Sequence, residues 1–265
     1  MHPILLDLGF FQIPTYGVLV ALAYISSVFW VKRRISRIPG MTEDKFWTLI
    51  YGIFFGAVLG GKILFILVEW QAFRSGELSF FRDFRYGFVF YGGFLGGLLA
   101  AIFFLKRLKI PFLTTADYFA TALPLGQAIG RWGCLSAGCC YGKPTTLPWA
   151  VRLGGNPASV TPPELWGIPL HPTQIYESLA DFSIFLFLAL WLIPKIEKKE
   201  IKTGTAFWTY LLTYATARFL IEFVRGDDRG WSFLSLWVSQ WVALACFLGA
   251  LIALYRNGIY SKESL

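Results

Sequence analysis

The chain has 265 residues, of which 56% are hydrophobic and only 15% are charged, and its mean hydropathy is +0.56. This composition excludes an ordinary soluble domain and indicates a polytopic membrane protein. The net charge is +8 at pH 7, but the basic residues stand in short runs between apolar segments. That pattern is typical of membrane topology and not of a protein that binds nucleic acid.

Apolar stretches of membrane-spanning length occur at seven places in the chain. We therefore expect an all-α integral membrane protein with about seven transmembrane helices, which form a single polytopic domain over residues 1–265. The first stretch has no basic residue before it and no small-residue cleavage site after it, so we expect it to be retained and not removed as a signal peptide. The stretches cover roughly residues 15–31, 46–70, 87–105, 114–133, 174–193, 204–224 and 236–255.

The basic residues predict the orientation of these helices. They cluster after the first span (32–45), after the third (106–109), after the fifth (195–202), and in the tail at Arg256 and Lys262. Because short cytoplasmic loops carry the excess of Lys and Arg, these segments are expected in the cytoplasm. The N-terminus and a loop region at about 134–173 are then outside, and the C-terminus is cytoplasmic.

The fourth span leads into the stretch Gly126–Gly142, with the sequence GQAIGRWGCLSAGCCYG. Arg131 lies at the end of this apolar span, where a cation costs on the order of 2–3 kcal/mol unless it is compensated. A lipid phosphate would compensate it. The alternative is an interfacial arginine whose side chain reaches out to water.

The sixth span carries further charge inside an apolar segment. Tyr214, Arg218, Glu222 and Arg225 follow one another at i, i+4, i+8 and i+11, so they share one face of a continuous helix. Two arginines against one carboxylate leave a positive charge that favours an anion; the alternative is a structural ladder of ion pairs. Lys62, which follows two glycines in the second span, adds to a cluster suited to a phosphodiester.

Three other groups of residues have a structural interpretation, which for His171 stands beside a functional one. His171 is the only histidine besides His2, and its ordinary pKa suits proton transfer, but it stands where it could also hydrogen-bond a helix start. Tyr16 is typical of the aromatic belt at the outer interface. The glycine pairs 92–93 and 96–97 in the third span indicate a face for close helix packing.

Three cysteines of this stretch, Cys134, Cys139 and Cys140, fall on the expected outer side. A disulfide between Cys134 and one of the other two is the expected state in an oxidising compartment. A metal site formed by the three thiolates with His171 lacks the usual paired spacing. A reactive thiol in an electropositive pocket is the third interpretation.

Taken in order, these segments resemble the prolipoprotein diacylglyceryl transferases. The resemblance covers nearly the whole chain, and the order and spacing of its motifs are more specific than any one motif. The matching segments are Tyr16-Gly17, Gly60-Gly61-Lys62, Phe90-Tyr91-Gly92-Gly93, Gly130-Arg131-Trp132-Gly133, His171-Pro172-Thr173-Gln174-Ile175-Tyr176-Glu177, and Tyr214 to Arg225.

The resemblance implies an enzyme of the bacterial cytoplasmic (inner) membrane that moves a diacylglyceryl group from phosphatidylglycerol to a lipobox cysteine thiol of a lipoprotein precursor and releases glycerol phosphate. The chain departs from the family pattern at four positions. Cys134, Ala137 and Cys139 stand where the family has two asparagines and a glutamate, and Tyr91 stands where it has a histidine. The lipid site is therefore expected to be kept and the acceptor or base to be changed.

We accordingly predict catalytic roles for Tyr16, Tyr91, Arg131, His171, Tyr214 and Arg218. Substrate binding is assigned to Lys62, Gly92, Gly93, Cys134, Gly142, Glu222 and Arg225. No metal or other cofactor is expected. The expected partners are phosphatidylglycerol, membrane lipids, and either a lipoprotein precursor with a lipobox cysteine or another acceptor. No binding of nucleic acid is expected. The alternatives are a transferase with a different acceptor and a membrane thiol oxidoreductase that uses the external cysteines.

Overall fold

The computed structural model describes residues 2–79, 87–227 and 232–257, and the tail residue Lys262 lies outside them. The chain forms two compact units, one of Met1–Val31 with Ala116–Leu265 and the other of Lys32–Thr115. The long helices are α1 (Thr15–Lys32), α2 (Glu43–Val68), α4 (Phe90–Arg107), α5 (Phe112–Ala137), α6 (Thr173–Phe187), α8 (Thr205–Glu222) and α9 (Val238–Asn257). The shorter ones are α3 (Trp70–Ser75) and α7 (Ile193–Glu197), and a π-helical segment, Leu188–Leu192, joins α6 to α7.

Each of the seven apolar windows of the sequence contains one of the long helices. In the described part of the chain, five helical segments are long and apolar enough to cross a membrane: Thr15–Lys32, Glu43–Val68, Phe90–Arg107, Thr173–Glu197 and Val238–Arg256. They indicate a multi-pass membrane protein of helical class. The two remaining long helices, α5 and α8, contain Asp117, Arg131, Arg218 and Glu222 in otherwise apolar sequence.

The unit Lys32–Thr115 is built on the crossing of α2 and α4, where glycines let the two backbones approach closely. A Cβ atom added at Gly60 would lie 2.3 Å from the Gly92 carbonyl oxygen, and one at Gly96 would lie 2.2 Å from that of Gly56. Helix packing through small residues is common where lipid surrounds the helices. The predicted packing role of the glycine pairs is thus confirmed, and α2 runs without a break through Gly60 and Gly61.

In the other unit, α8 packs against α6 and α9, and its start is capped by a residue of α5. The buried Asp117 carboxylate accepts hydrogen bonds from the backbone N–H groups of Gly204, at 2.6 Å, and Phe207, at 2.9 Å. The first N–H groups of a helix have no partner within it, and a negative charge there is favourable. The N-cap residue of α8, Gly204, has no side chain that could accept these hydrogen bonds, and Asp117 provides the acceptor instead.

The segment between α5 and α6 is held by short strands and backbone hydrogen bonds. Strand β3 (Val151–Arg152) pairs antiparallel with β4 (Pro169–Leu170), and single bridges join Gly142 to Arg225 and Pro144 to Leu170. This loop and the chain after α8 are therefore joined beside the ends of α5 and α6. Two further hairpins pair β1 (Ile4–Asp7) with β2 (Gln12–Pro14) and β5 (Ser232–Phe233) with β6 (Leu236–Trp237).

Candidate active site

Three guanidinium groups converge on one buried carboxylate, that of Glu177 on α6. Arg218 Nη1 lies 2.8 Å and Arg225 Nη1 2.6 Å from Glu177 Oε1, and Arg131 forms an ion pair with Oε2 of the same carboxylate. The arginines come from α5, from α8 and from the segment after α8. The tertiary structure therefore places cations that are far apart in sequence around a single point.

A second set of acidic groups holds the outer sides of these arginines. Arg218 Nη2 lies 2.6 Å from Glu222 Oε2, and Ser239 donates to Glu222 Oε1 over 2.8 Å. Arg225 binds Asp227 through Nε and Nη2, each at 3.0 Å. Three carboxylates thus face three guanidinium groups, so the net positive charge inferred from Arg218, Glu222 and Arg225 alone is wrong.

The arginines differ in how far a ligand could reach them. The side chain of Arg131 is 21% exposed and that of Arg218 is 14% exposed, whereas that of Arg225 is 2% exposed. Arg225 also uses Nε and both terminal nitrogens on Glu177 and Asp227. Arg131 and Arg218 are therefore the groups placed to meet an anion, and Arg225 is placed to hold Glu177.

The shared helix face expected for Tyr214, Arg218, Glu222 and Arg225 extends only as far as Glu222, because α8 ends there. Arg225 lies beyond the helix. Its segment is held by hydrogen bonds from Lys143 N to the Val224 carbonyl, at 2.8 Å, and from Gly226 N to the Tyr141 carbonyl, at 3.0 Å. The guanidinium group reaches Glu177 because the loop fixes this backbone, and not through helical periodicity.

Two of the predicted tyrosines lie close to Arg131. Tyr214 stacks on Tyr210 with ring centroids 5.6 Å apart, and Tyr210 donates to Gln127 Oε1 over 3.1 Å. Tyr16 lies against Gly133, where an added Cβ would be 3.2 Å from the tyrosine ring. Both phenols are near enough to Arg131 to interact with its charge.

His171 and Gly142 lie in the loop beside the cluster. The His171 ring contacts Tyr176, with 3.4 Å between Nδ1 and the phenol oxygen, and Trp149 donates to that oxygen over 2.7 Å. A Cβ at Gly142 would lie 2.4 Å from that of His171 and 2.8 Å from the Val224 carbonyl oxygen. Gly142 thus permits three segments to meet, and its role in substrate binding stays a prediction.

Lys62, Tyr91, Gly92 and Gly93 belong to the other unit. Lys62 Nζ lies 5.8 Å from the centre of the Phe65 ring on α2. Tyr91 stands in the first turn of α4 and is 54% exposed, while Gly92 and Gly93 are buried. The functional roles predicted for these four residues stay predictions. The close packing of α4 against α2 already explains why residues 92 and 93 are glycines.

The cysteines are free thiols, so the expected disulfide is not formed in this structure. The sulfur atoms of Cys134, Cys139 and Cys140 lie within 4.8 Å of one another. Hydrogen bonds to the other two thiols, together with burial, raise the pKa of Cys139. Hydrogen bonds from Cys134 and Cys139, with a further contribution from Arg225, lower the pKa of Cys140.

Sequence reasoning missed the part that two acidic residues of α6, Glu177 and Asp181, take in this site. Glu177 ends the segment that begins at His171 and matches the family, but no local pattern in the sequence indicates that its carboxylate is buried between arginines. Asp181 follows one turn later on α6, is 2% exposed, and lies near enough to Arg131 and Arg218 to interact with their charges. The signal available was the Glu177–Asp181 spacing, which puts two carboxyl groups on one face of a membrane-spanning helix.

Comparisons with known proteins match nearly the whole chain. The family model described as prolipoprotein diacylglyceryl transferase matches residues 3–256. The chain is similar to the phosphatidylglycerol–prolipoprotein diacylglyceryl transferase of Clostridium tetani, with 36% identity over 92% of this chain and 93% of the relative. It is also 36% identical to phosphatidylglycerol–prolipoprotein diacylglyceryl transferase 2 of Clostridium perfringens, over 95% of this chain and 94% of the relative. The transferase of Geobacter sulfurreducens is 32% identical, over 86% of this chain and 84% of the relative.

Proposed function

Because the chain belongs to the prolipoprotein diacylglyceryl transferase family, we propose that it transfers a diacylglyceryl group from phosphatidylglycerol to a cysteine thiol of a lipoprotein precursor and releases glycerol phosphate. The observation that carries the proposal is the convergence of Arg131 and Arg218, which come from different helices, on the buried carboxylate of Glu177. Each guanidinium group offers a planar fork of donors that matches a phosphate and does not lose its proton.

In this reaction the phosphate of the lipid lies against Arg131 and Arg218. The acceptor thiolate attacks the glycerol carbon that carries the phosphate, so that a carbon–sulfur bond forms while the carbon–oxygen bond breaks. The electron pair of the broken bond stays on glycerol phosphate. Donors that are already in place when this charge develops lower the barrier, and removing one such donor typically costs 10²–10³-fold in rate.

Glu177 orients the guanidinium groups before the lipid arrives. It binds all three arginines, while Glu222 and Asp227 hold Arg218 and Arg225 from their other sides. The phosphate then competes with Glu177 for donors of Arg131 and Arg218, and Arg225 keeps Glu177 in place. The carboxylate is thus a positioning residue, and it keeps the cluster close to neutral while no anion is bound.

The acceptor thiol must lose its proton, and the two candidate groups are Tyr91 and His171. The phenol of Tyr91 can donate or relay a proton but is a poor base, whereas an imidazole such as that of His171 is the side chain that most often acts as a general base. Cations near the acceptor lower the pKa of its thiol, so that modest help is enough. Comparing the pH profiles of Y91F and H171Q distinguishes the two assignments.

We further propose that the chain forms a single polytopic domain of seven transmembrane helices in the bacterial cytoplasmic membrane, with the N-terminus outside. Helices α5 and α8 provide the two spans beyond the five that are apolar throughout. Their polar groups face one another and α6 through the arginine cluster, which is how charge is accommodated inside a membrane protein. The loop after α5, with Trp149 and Trp166, then lies at the outer surface.

A second version of the proposal keeps the lipid donor and changes the acceptor. It is favoured by Cys134, Ala137 and Cys139, which replace residues typical of the family at the end of α5. Its expected product is glycerol phosphate without a thioether on a lipobox peptide. A thiol oxidoreductase, by contrast, would lose its activity when Cys134, Cys139 and Cys140 are replaced by serine.

The experiment that tests the proposal uses the purified protein with phosphatidylglycerol labelled in its headgroup and diacylglyceryl part, together with a lipobox peptide. The proposal predicts labelled glycerol phosphate and, in equal amount, a peptide thioether; a peptide with serine in place of the lipobox cysteine is the control. Release of glycerol phosphate with no thioether would favour the second version. No release from phosphatidylglycerol would refute both.

A further inference from the structure

We propose that Cys134, Cys139 and Cys140 form a binding site for a thiophilic metal ion of the zinc or copper(I) type. This inference does not depend on the transfer reaction proposed above, because none of these thiols takes part in the chemical step of that reaction. Thiolate sulfur is the ligand that such ions prefer in proteins. Of the described residues, these three form the group of potential metal ligands whose donor atoms lie within 4.8 Å of one another.

The spacing of the sulfur atoms suits a single ion. A zinc–sulfur bond is about 2.3 Å long, so three sulfurs around one ion lie about 3.8–4.0 Å apart in tetrahedral or trigonal geometry. The separations in the structure are at most 4.8 Å, which exceeds this spacing by about 1 Å at most, so the three thiols lie close to the arrangement that one ion requires. His171, which the sequence suggested as a fourth ligand, does not belong to this group.

The backbone that carries Cys139 and Cys140 is fixed by three side chains. Thr161 Oγ1 donates to the Gly138 carbonyl over 2.8 Å, Gln174 Nε2 to that of Cys139 over 2.7 Å, and Thr173 Oγ1 to that of Cys140 over 2.6 Å. Thr161, Thr173 and Gln174 are each at most 2% exposed. The backbone that presents the Cys139 and Cys140 thiols is therefore fixed before an ion binds, which lowers the entropy cost of binding.

The backbone conformation of this segment is unusual in a way that the cluster explains. Cys140 has φ of 63°, in the left-handed region that non-glycine residues seldom adopt. Such conformations persist only where the surrounding structure enforces them, and they concentrate at functional sites. Gly138 also has a positive φ, of 81°. The chain therefore turns after α5, and the thiols of Cys139 and Cys140 lie close to that of Cys134 at the end of this helix.

The surroundings of the thiols also balance the charge of a metal complex. Three thiols that bind one Zn²⁺ release three protons and form a complex with a charge of −1. Arg225 and Arg131 are both near enough to interact with the charge of Cys140, and Arg131 also interacts with that of Cys134. These guanidinium groups stabilise an anionic complex, which would otherwise be costly at a partly buried position.

One buried polar atom beside the thiols has no partner in the described part of the chain. Gln174 is 1% exposed and its Nε2 is bonded to the Cys139 carbonyl, but its Oε1 accepts no hydrogen bond there. Leaving such an acceptor unsatisfied costs about 1–3 kcal/mol. A water in the fourth coordination position of a zinc ion would provide a donor next to the Cys139 backbone.

The test is metal binding by the reduced, metal-free full-length protein in detergent, with Zn²⁺ and Cu⁺ added in separate experiments. We expect about one ion per chain for at least one of the two ions, with release of protons and protection of Cys134, Cys139 and Cys140 from alkylation. C246S is the matched control and should bind like the wild type, because Cys246 lies on α9. Binding by C139S should weaken at least tenfold.

Two results would overturn the proposal. One is that neither ion binds to the reduced wild type at a stoichiometry above background. The other is that the ion binds but leaves the three cysteines as reactive to alkylation as in the metal-free protein. The alkylation readout uses the unmodified chain, so that it decides the question even if a cysteine variant fails to fold. Glycerol phosphate release is measured separately, and its absence would count against the transferase proposal alone.

Discussion

Arg225 Nη1 lies 2.6 Å from Glu177 Oε1, although 48 residues separate them in the sequence. This pair joins the segment after α8 to the beginning of α6, and Arg131 and Arg218 meet at the same carboxylate. We propose that this arrangement is a prepared anion site, in which a protein carboxylate occupies the donors until a ligand replaces it.

Replacing Glu177 with glutamine should destabilise the protein and slow the reaction. The change leaves three guanidinium groups without their shared countercharge, and breaking a buried ion pair in this way costs about 3–5 kcal/mol. Thermal unfolding in detergent should show a lower midpoint, and glycerol phosphate release should fall. E164Q, at an exposed position of the loop, is the control; equal midpoints for E177Q and the wild type would contradict the role given to Glu177.

Replacing Asp117 with alanine should destabilise the start of α8. The variant leaves the N–H groups of Gly204 and Phe207 without their acceptor, at a cost of about 1–3 kcal/mol. Hydrogen exchange of the first turn of α8 should become faster than in the wild type. D44N, in the exposed first turn of α2, tests the loss of a surface charge near a helix start. If exchange in α8 stays unchanged in D117A, the capping role is wrong.

Replacing Gly60 with alanine should weaken the α2–α4 contact. The added methyl group would lie 2.3 Å from the Gly92 carbonyl oxygen, a backbone atom that cannot rotate away. Overpacking of this kind costs about 1–3 kcal/mol. G249A on α9 is the matched control, because an added Cβ there meets nothing within 4 Å. A thermal midpoint for G60A as high as that of G249A would exclude close backbone packing at this crossing.

The sequence predicted the helical membrane class of the fold well because the length and apolar character of a segment are local properties. All seven windows contain long helices, and the family resemblance is confirmed by the match over residues 3–256. The glycine pairs of α4 were also correctly interpreted as a packing face. These predictions depend on the residues of one segment at a time.

The site was predicted less completely because its charges are balanced across segments. Glu177 neutralises arginines that lie 46, 41 and 48 residues away in the sequence, a relationship that no local pattern contains. Arg225 was placed on the helix face by periodicity, yet α8 ends before it and backbone hydrogen bonds of the loop set its position. The three thiols converge through a left-handed turn that the sequence does not specify.

The measurement that tests the central claim most directly is glycerol phosphate release from headgroup-labelled phosphatidylglycerol by R131A and R218A. If these side chains bind the lipid phosphate, each variant should lose about 10²–10³-fold in kcat/KM. R107A, which changes an exposed arginine at the end of α4, should keep the wild-type rate. Correctly folded R131A and R218A proteins that release glycerol phosphate at the rate of R107A would contradict the account.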